Sequence, residues 1–340
     1  MRRLAPAACP RPLALAALVA LAAVLVAGCG ERKERTSPGK TEQFQLMLDF
    51  LPNADHAGIY AAQARGRFRD VGLDVKIRVP SDPAAPIRQV AAGRVDLAIS
   101  YEPEVLRARD KGPKVVSVGA LVQRPLTTII ALPGSKIRGP AGLRGKRVGT
   151  AGIDYQKAFL RTILERAAVP PESVKERNVG FNLVPALLTK KVDAILGGFV
   201  NYEAVELRQR KKNPVVIPVD KVGVPEYDEL VFVTSEAAAR ENGDAIRGFL
   251  GAVARGTADL RREPVAALLK ANPDLDAKLQ RAAVKITLPY FRPPDGRPFG
   301  YQQPGRWRTF ADFMRKSGLI NRPNADRGAF TNALLPGQGP

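Results

Sequence analysis

The sequence predicts an α/β protein of two lobes. Three observations carry this. From residue 44 to about residue 200, apolar β-branched runs alternate with helical patterns, the mark of repeated βαβ units. The body of the chain, roughly 300 residues, exceeds what one small core organises. An internal echo links its two halves: QVAAGRVDLAIS (89–100) and PALLTKKVDAILG (185–197) share an apolar helix end, a basic residue, Val-Asp and an apolar strand. Val95-Asp96 matches Val192-Asp193, and each strand leads into a polar and aromatic cluster, Ser100-Tyr101-Glu102 or Phe199-Val200-Asn201-Tyr202-Glu203. In open α/β sheets ligands sit beyond the carboxyl ends of the strands, so both clusters are expected to face a cleft.

The N-terminus reads as a targeting segment. Arg2 and Arg3 precede an apolar run from Leu13 to Ala27, closed by Val26-Ala27-Gly28-Cys29. The run is short for a membrane span of about 20 residues. Small residues before the cysteine resemble a bacterial lipobox. That resemblance implies a signal peptide over 1–28, acylation of Cys29 and a polar tether over 29–42, with the body anchored to a membrane outside the cytoplasm.

Strands are expected at 44–50, 73–79, 95–100, 115–121 and 127–132, with helices at 57–68, 83–92 and 103–111. A second α/β unit opens with a strand at 146–149. It continues with a helix at 156–167, a strand at 175–179, a helix at 183–188, a strand at 193–196 and a helix at 202–210. Residues 215–235 read as two extended runs. The remainder is largely helical (236–262, 263–271, 275–286 and 305–317), with a loop-rich stretch over 288–307 and weak order signals from 322.

Composition narrows the chemistry. Apolar residues make up 45% and charged residues 25%, ordinary for a globular protein. The formal net charge is +20. Removing residues 1–28, with Arg2, Arg3, Arg11 and no acid, leaves about +17 by the same count. The basic residues are scattered and no aromatic-basic stacking motif is present, so the charge reads as a basic surface beside an anionic membrane and nucleic acid is not an expected partner. The two cysteines are Cys9, inside the leader, and Cys29, and His56 is the single histidine. A disulfide, a thiol nucleophile and a multi-histidine metal site are therefore not expected in the body, nor is a cofactor.

The stretch LMLDFLPNADHAGIYAAQARGRF (46–68) resembles the opening of bacterial solute-binding proteins of ABC importers, in the NMT1/THI5-like branch related to thiamine pyrimidines. The matching positions are Phe50, Pro52, Asn53, Asp55, His56, Ala57, Gly58, Ile59, Tyr60, Arg65, Gly66 and Phe68. GGFVNYE (197–203) resembles that family's GxYxNxE segment. Phe50 stands where the family often has Trp, and Phe199 where it often has Tyr. The resemblance implies a type II periplasmic-binding-protein-like fold with a hinge and an interlobe cleft. Lobe 1 would cover 43–133 and 227–320, lobe 2 134–226, and a tail 321–340. It also implies a small heteroaromatic ligand, a thiamine pyrimidine precursor or a relative such as riboflavin, and ABC permease subunits as partners.

Each candidate residue has a plainer reading beside the ligand reading. Glu203 suits an aminopyrimidine, because its two oxygens accept from an exocyclic amine and a protonated ring nitrogen; it also suits a helix N-terminus. Asn53, Asp55 and His56 are ligand candidates, yet Asn and Asp shape turns and cap helices, and one of Asn53 and Asp55 is expected to cap the helix at 57–68. Phe50, Tyr101, Phe199 and Tyr202 stack on a ring or fill core. Ser100, Glu102 and Asn201 complete the two strand-end clusters. Gly149, Thr150 and Gly152 precede a helix, so backbone N–H groups there suit an anionic or carbonyl group; the lysine-hydroxyl ending of a phosphate loop is absent. An enzyme related to the eukaryotic pyrimidine synthases is the rival reading. It needs a lysine for pyridoxal phosphate, and none lies near Asn53–His56. A sensory or scaffold lipoprotein is a third.

Overall fold

The computed structural model describes residues 41–293, 296–323 and 325–337. The leader, Cys29 and most of the tether lie outside these. The chain runs β1 (Glu42–Met47), α1 (Ala57–Ala64), β2 (Leu73–Arg78), α2 (Ala85–Ala91), β3 (Leu97–Ser100), α3 (Glu102–Lys111) and β4 (Val115–Val122). It continues through β5 (Thr127–Ala131), β6 (Arg147–Thr150), α4 (Asp154–Arg166), β7 (Lys175–Asn178), α5 (Leu183–Leu188), β8 (Ala194–Phe199), α6 (Glu203–Gln209) and β9 (Val215–Pro218). After β10 (Leu230–Ser235) come α7 (Glu236–Glu241), α8 (Gly243–Asp259), α9 (Ala266–Ala271), α10 (Ala277–Thr287) and α11 (Pro304–Lys316).

Two five-stranded sheets result, ordered β2-β1-β3-β10-β4 and β7-β6-β8-β5-β9. In the first, β1 pairs parallel with β2 and β3, and β10 runs antiparallel between β3 and β4. In the second, β6 pairs parallel with β7 and β8, and β5 runs antiparallel between β8 and β9. Parallel neighbours require long crossovers. Helices α1 and α2 supply them in one sheet, and α4 and α5 in the other.

The echoed Val-Asp pairs hold equivalent places. Asp96 Oδ2 accepts from the backbone N–H of Gln45 at 2.7 Å, and Asp193 Oδ2 accepts from that of Arg147 at 2.8 Å. In each case the aspartate returns its own N–H to the same residue's carbonyl, at 3.1 and 2.8 Å. Val95 and Val192 point into the core beside them. Each aspartate thus locks the strand it precedes to its parallel neighbour, β1 in one sheet and β6 in the other.

Three details depart from the sequence reading. The strand Thr127–Ala131 was expected in lobe 1, within 43–133. It pairs instead with β8 and β9, so the chain crosses between sheets at 123–126 and returns through 219–229. Its apolar run fits either sheet, and only partners some 70 residues away select one (Thr127 lies opposite Phe199). The second is the expected tail over 321–340. Ser117 donates its N–H to the Ala329 carbonyl and accepts from the Thr331 N–H, both at 2.8 Å, which adds Phe330 to the β4 edge. Phe330 packs on Trp307 at 4.9 Å, and Leu335 is fully buried. An edge strand presents unpaired backbone groups, and this segment satisfies those at Ser117.

The helix expected over 236–262 is divided at Asn242 into α7 and α8. Ser235 caps α7 by accepting from the Ala238 N–H at 3.0 Å. At the crossing, Glu229 ties the two connecting segments together. Its Oε2 accepts from the Leu126 and Thr127 N–H groups at 2.6 and 2.7 Å, and its Oε1 from the Thr127 hydroxyl at 2.9 Å.

Candidate functional site

Strand β1 delivers Leu48-Asp49-Phe50 to the cleft, and the loop after it folds back as a short 3₁₀ turn, Ala54–His56. Asn53 caps that turn. Its Oδ1 accepts from the Asp55 N–H at 2.8 Å, and its own N–H donates to His56 Nδ1 at 3.2 Å. With Nδ1 accepting, the network assigns the imidazole proton to Nε2, which faces Asp49 Oδ1 at 2.8 Å. The Tyr101 hydroxyl donates to Asp49 Oδ2 at 2.8 Å. Asp49 is therefore clamped from two sides.

Between the carboxyl ends of the two sheets lies a small cavity, partly open to solvent. Lobe 1 contributes Asp49, Phe50, Asn53 and Tyr101. The second lobe contributes Glu203 and the aromatic rings of Tyr155, Phe199 and Tyr202, with Ala151, Ile153, Gln156, Leu183 and Gly197 completing the wall. Phe50 meets Phe181 of the second lobe edge to face, centroids 4.8 Å apart, and Tyr101 meets Tyr155 at 5.4 Å. Flat aromatic walls and two carboxylates suit a planar ring that carries N–H donors.

Glu203 opens α6. Its Oε2 accepts from the Phe199 N–H at 2.6 Å. Burial pushes its carboxyl up to about 7, against the pull of that backbone hydrogen bond. The Tyr202 hydroxyl accepts from Gln280 Nε2 of α10 at 3.0 Å, a contact between the lobes. Gln156 Oε1 accepts from the Ala151 N–H at 2.9 Å. Gly197 has φ +102°, and a Cβ there would lie 2.3 Å from Gln156 Nε2, so this close approach requires glycine.

Of the expected site residues, Phe50, Asn53, Tyr101, Phe199, Tyr202 and Glu203 line the cavity. The others do not. Asp55 and His56 are turned inward by the 3₁₀ turn and are fully buried. Of Asn53 and Asp55, Asn53 supplies a cap, and it caps the 3₁₀ turn that leads into α1 rather than α1 itself. Asn201 points its amide at Asp55 and Thr287, at 2.6 Å each. The Ser100 hydroxyl donates to Glu104 Oε2 one helical turn on, at 2.5 Å. Glu102 Oε2 accepts from the Asp228 N–H at 2.6 Å, and burial holds its carboxyl well above the usual range. Gly149 packs against Val192, and the Thr150 hydroxyl donates to Glu176 Oε1 at 3.0 Å. Gly152 makes a turn at φ +79° outside the cavity lining. The expected anion loop is thus closed on itself, with the Ala151 N–H taken by Gln156.

Sequence reasoning missed Asp49, Tyr155 and Gln156. Asp49 had a signal: an acid at the carboxyl end of an apolar strand, next to Phe50. Tyr155 and Gln156 sit in the first turn of an amphipathic helix and read locally as core.

Two α/β lobes joined by two crossings, with the cleft at the strand ends, define a solute-binding protein of the type II periplasmic class. The alkanesulfonate-binding protein SsuA of Xanthomonas axonopodis pv. citri shares this fold, with a TM-score of 0.65 over 86% of this chain and 99% of that one, at 19% identity. The chain belongs to the NMT1/THI5-like family, which residues 53–267 match. It is 33% identical to the formylaminopyrimidine-binding protein of Halalkalibacterium halodurans over 92% of this chain and 96% of that protein. It is 29% identical to the 4-amino-5-hydroxymethyl-2-methylpyrimidine phosphate synthase of Legionella pneumophila over 72% of this chain and 79% of that protein.

Proposed function

We propose that this chain is the extracytoplasmic solute-binding subunit of an ABC importer, and that it takes an aminopyrimidine precursor of thiamine. The observation that carries this is Glu203, a buried carboxylate lining a cavity walled by aromatic rings. Its two oxygens match the amine and ring-nitrogen edge of an aminopyrimidine. The name of the Halalkalibacterium halodurans relative points to the same ligand class. Lobe closure over the ring, delivery to a permease and anchoring through acylated Cys29 complete the proposal.

A synthase activity is named for some relatives. A Schiff base with pyridoxal phosphate needs a lysine, and the residues lining this cavity include none. Calorimetry and thermal-shift measurements with formylaminopyrimidine, 4-amino-5-hydroxymethyl-2-methylpyrimidine, riboflavin and thiamine test the proposal. Heat and a raised Tm with the pyrimidines are the expected result; no response to any of the four overturns it.

A further inference from the structure

The basic residues that are scattered along the chain are gathered by the fold. Residues 127–218, which form the second lobe, hold 16 basic and 7 acidic side chains, a net charge of +9 over 92 residues. The rest of the body, 42–126 and 219–340, holds 30 and 24, a net charge of +6 over 207 residues. The excess therefore belongs to the smaller lobe.

Sheet register places it at one end of that lobe. Ala131 lies opposite both Ala194 and Val215, Val148 opposite Ala194, and Arg147 opposite Lys175. The carboxyl end of β5 and the amino ends of β6, β7, β8 and β9 thus share one end of the sheet, and the cavity lies beyond the other. Lys136 follows β5, and Lys146 leads into β6. Lys175 opens β7, Lys190-Lys191 lead into β8, and Lys211-Lys212 lead into β9. All but Lys146 are exposed. Three acids near this end are already paired, Asp193 with Arg147, Glu206 with Arg210 and Glu165 with Arg161, and Glu172 is exposed. The seven lysines make no ion pair among the described residues.

Backbone geometry adds a second observation. Lys136, Lys190 and Lys211 have φ of +60°, +58° and +57°. Each follows a helical segment, where a chain that turns left-handed favours glycine. Lysine is disfavoured there, yet it recurs at three exposed positions of one surface.

The kind of partner follows from the side chains that accompany the charge. The exposed large apolar residues among those described are Leu51, Val79 and Ile286, all in lobe 1. The aromatic rings of the second lobe, Tyr155, Phe159, Phe181, Phe199 and Tyr202, line the cavity, sit in the core or meet lobe 1. Protein interfaces centre on aromatic and apolar anchors and are poor in lysine, and single-stranded nucleic acid stacks on aromatic platforms. Lysines spread over five strands, about 20 Å at about 4.8 Å per strand, suit instead a broad layer of negative charge.

We propose that the end of the second lobe opposite the cavity is a contact surface for an anionic phospholipid bilayer. The contact is electrostatic: the lysine ammonium groups meet lipid phosphates and no side chain inserts. It acts in addition to any acyl anchor. Because the surface lies at the far end of the sheet from the cavity, the membrane holds this lobe without covering the ligand site.

Vesicle sedimentation with the full chain tests this. Binding to vesicles of roughly 3:1 phosphatidylcholine and phosphatidylglycerol, divided by binding to phosphatidylcholine alone, removes the contribution of any apolar N-terminal segment. The parent ratio should be at least about 30-fold at about 0.1 M salt and fall to about 3-fold or less at about 0.5 M, where screening is tighter. One variant combines Lys136→Gly, Lys190→Gly, Lys211→Gly, Lys191→Gln and Lys212→Gln. Its glycines fall at left-handed positions, so it should melt no lower than the parent. A control removes five charges from lobe 1: Arg262→Gln, Lys270→Gln, Lys278→Gln, Arg281→Gln and Lys285→Gln. The first variant should lose at least about 10-fold of the ratio and the control less than about 3-fold. A parent without preference for the anionic vesicles overturns the proposal, as does an undiminished ratio in the first variant. Equal losses in both variants overturn it too, since they would assign the effect to net charge alone. So would tighter binding of the parent to duplex DNA than to the anionic vesicles at the same salt.

Discussion

Asp55 and Asn201 join the two lobes beside the cavity: Asn201 Nδ2 donates to Asp55 Oδ1 at 2.6 Å, with both side chains buried. Asp55 comes from the loop after β1 and Asn201 from the loop after β8. Thr287, at the end of α10, stands against both, 2.6 Å from the amide and 3.1 Å from the carboxylate. Burial pushes the Asp55 carboxyl up to about 6. Neither Asp55 nor Asn201 lines the cavity, so their contact bridges the lobes without forming part of its wall.

Asn201→Ala should therefore weaken ligand binding without touching the site. Loss of these hydrogen bonds costs the closed form about 1–2 kcal/mol, or about 5- to 30-fold in affinity. The loss should lie in faster dissociation, read by stopped-flow displacement. Asp55→Asn should behave alike, since the backbone cap is carried by Asn53. An unchanged dissociation rate in both variants would show that the pair does not hold the closed form.

Glu203→Gln keeps the shape and the acceptor for the Phe199 N–H, but it turns one acceptor oxygen into a donor amide. Against an aminopyrimidine this should cost about 2–4 kcal/mol, or about 30- to 1000-fold in affinity. Isothermal titration at neutral pH measures it, with circular dichroism as the check on folding. Parent-like affinity would remove Glu203 from ligand recognition.

Glu229 predicts a pH dependence of stability. Burial raises its carboxyl from 4.5 to about 7, against the pull of the Thr127 and Leu126 N–H groups. The folded protein thus holds a proton there at pH values where the unfolded chain has released it. That contribution is complete below the ordinary carboxylate value and is lost as pH rises through about 7. Urea melts should show the parent losing stability relative to Glu229→Gln as pH rises from about 5 to about 8. Glu229→Ala is the harsher change. It leaves the Leu126 and Thr127 N–H groups without their acceptor and should cost about 2–4 kcal/mol.

Gly197→Ala tests the close approach behind the cavity wall. A Cβ would meet Gln156 Nε2 at 2.3 Å, on a backbone at φ +102°. The variant should be less stable by about 1–3 kcal/mol in chemical denaturation. A neutral effect would mean that the Gln156 amide swings aside at no cost.

The alternation of strand and helix was legible in the sequence because side-chain periodicity is a local property. The Val-Asp echo was legible for a related reason. Asp96 and Asp193 each bind the strand that their sheet is built on, so the same local requirement was written twice. Phe199, Tyr202 and Glu203 were legible because they follow directly on an apolar strand end, where the chain must leave the sheet.

What lies across the cleft was not legible. Asp49, Asp55 and His56 lie within eight consecutive positions, and nothing local says which carboxylate faces the cavity. A 3₁₀ turn capped by Asn53 decides it, by turning Asp55 and His56 into the protein and leaving Asp49 on the cavity wall. Asn201 finds Asp55 at a separation of 146 residues, β5 finds β8 some 70 residues on, and the segment around Phe330 finds Ser117 from the far end of the chain. The sequence by itself determined the elements and the end of each sheet at which a site would form. Only the tertiary structure decided the sheet partners and the inward or outward sense of each polar side chain, because those depend on groups that approach one another only after the chain has folded.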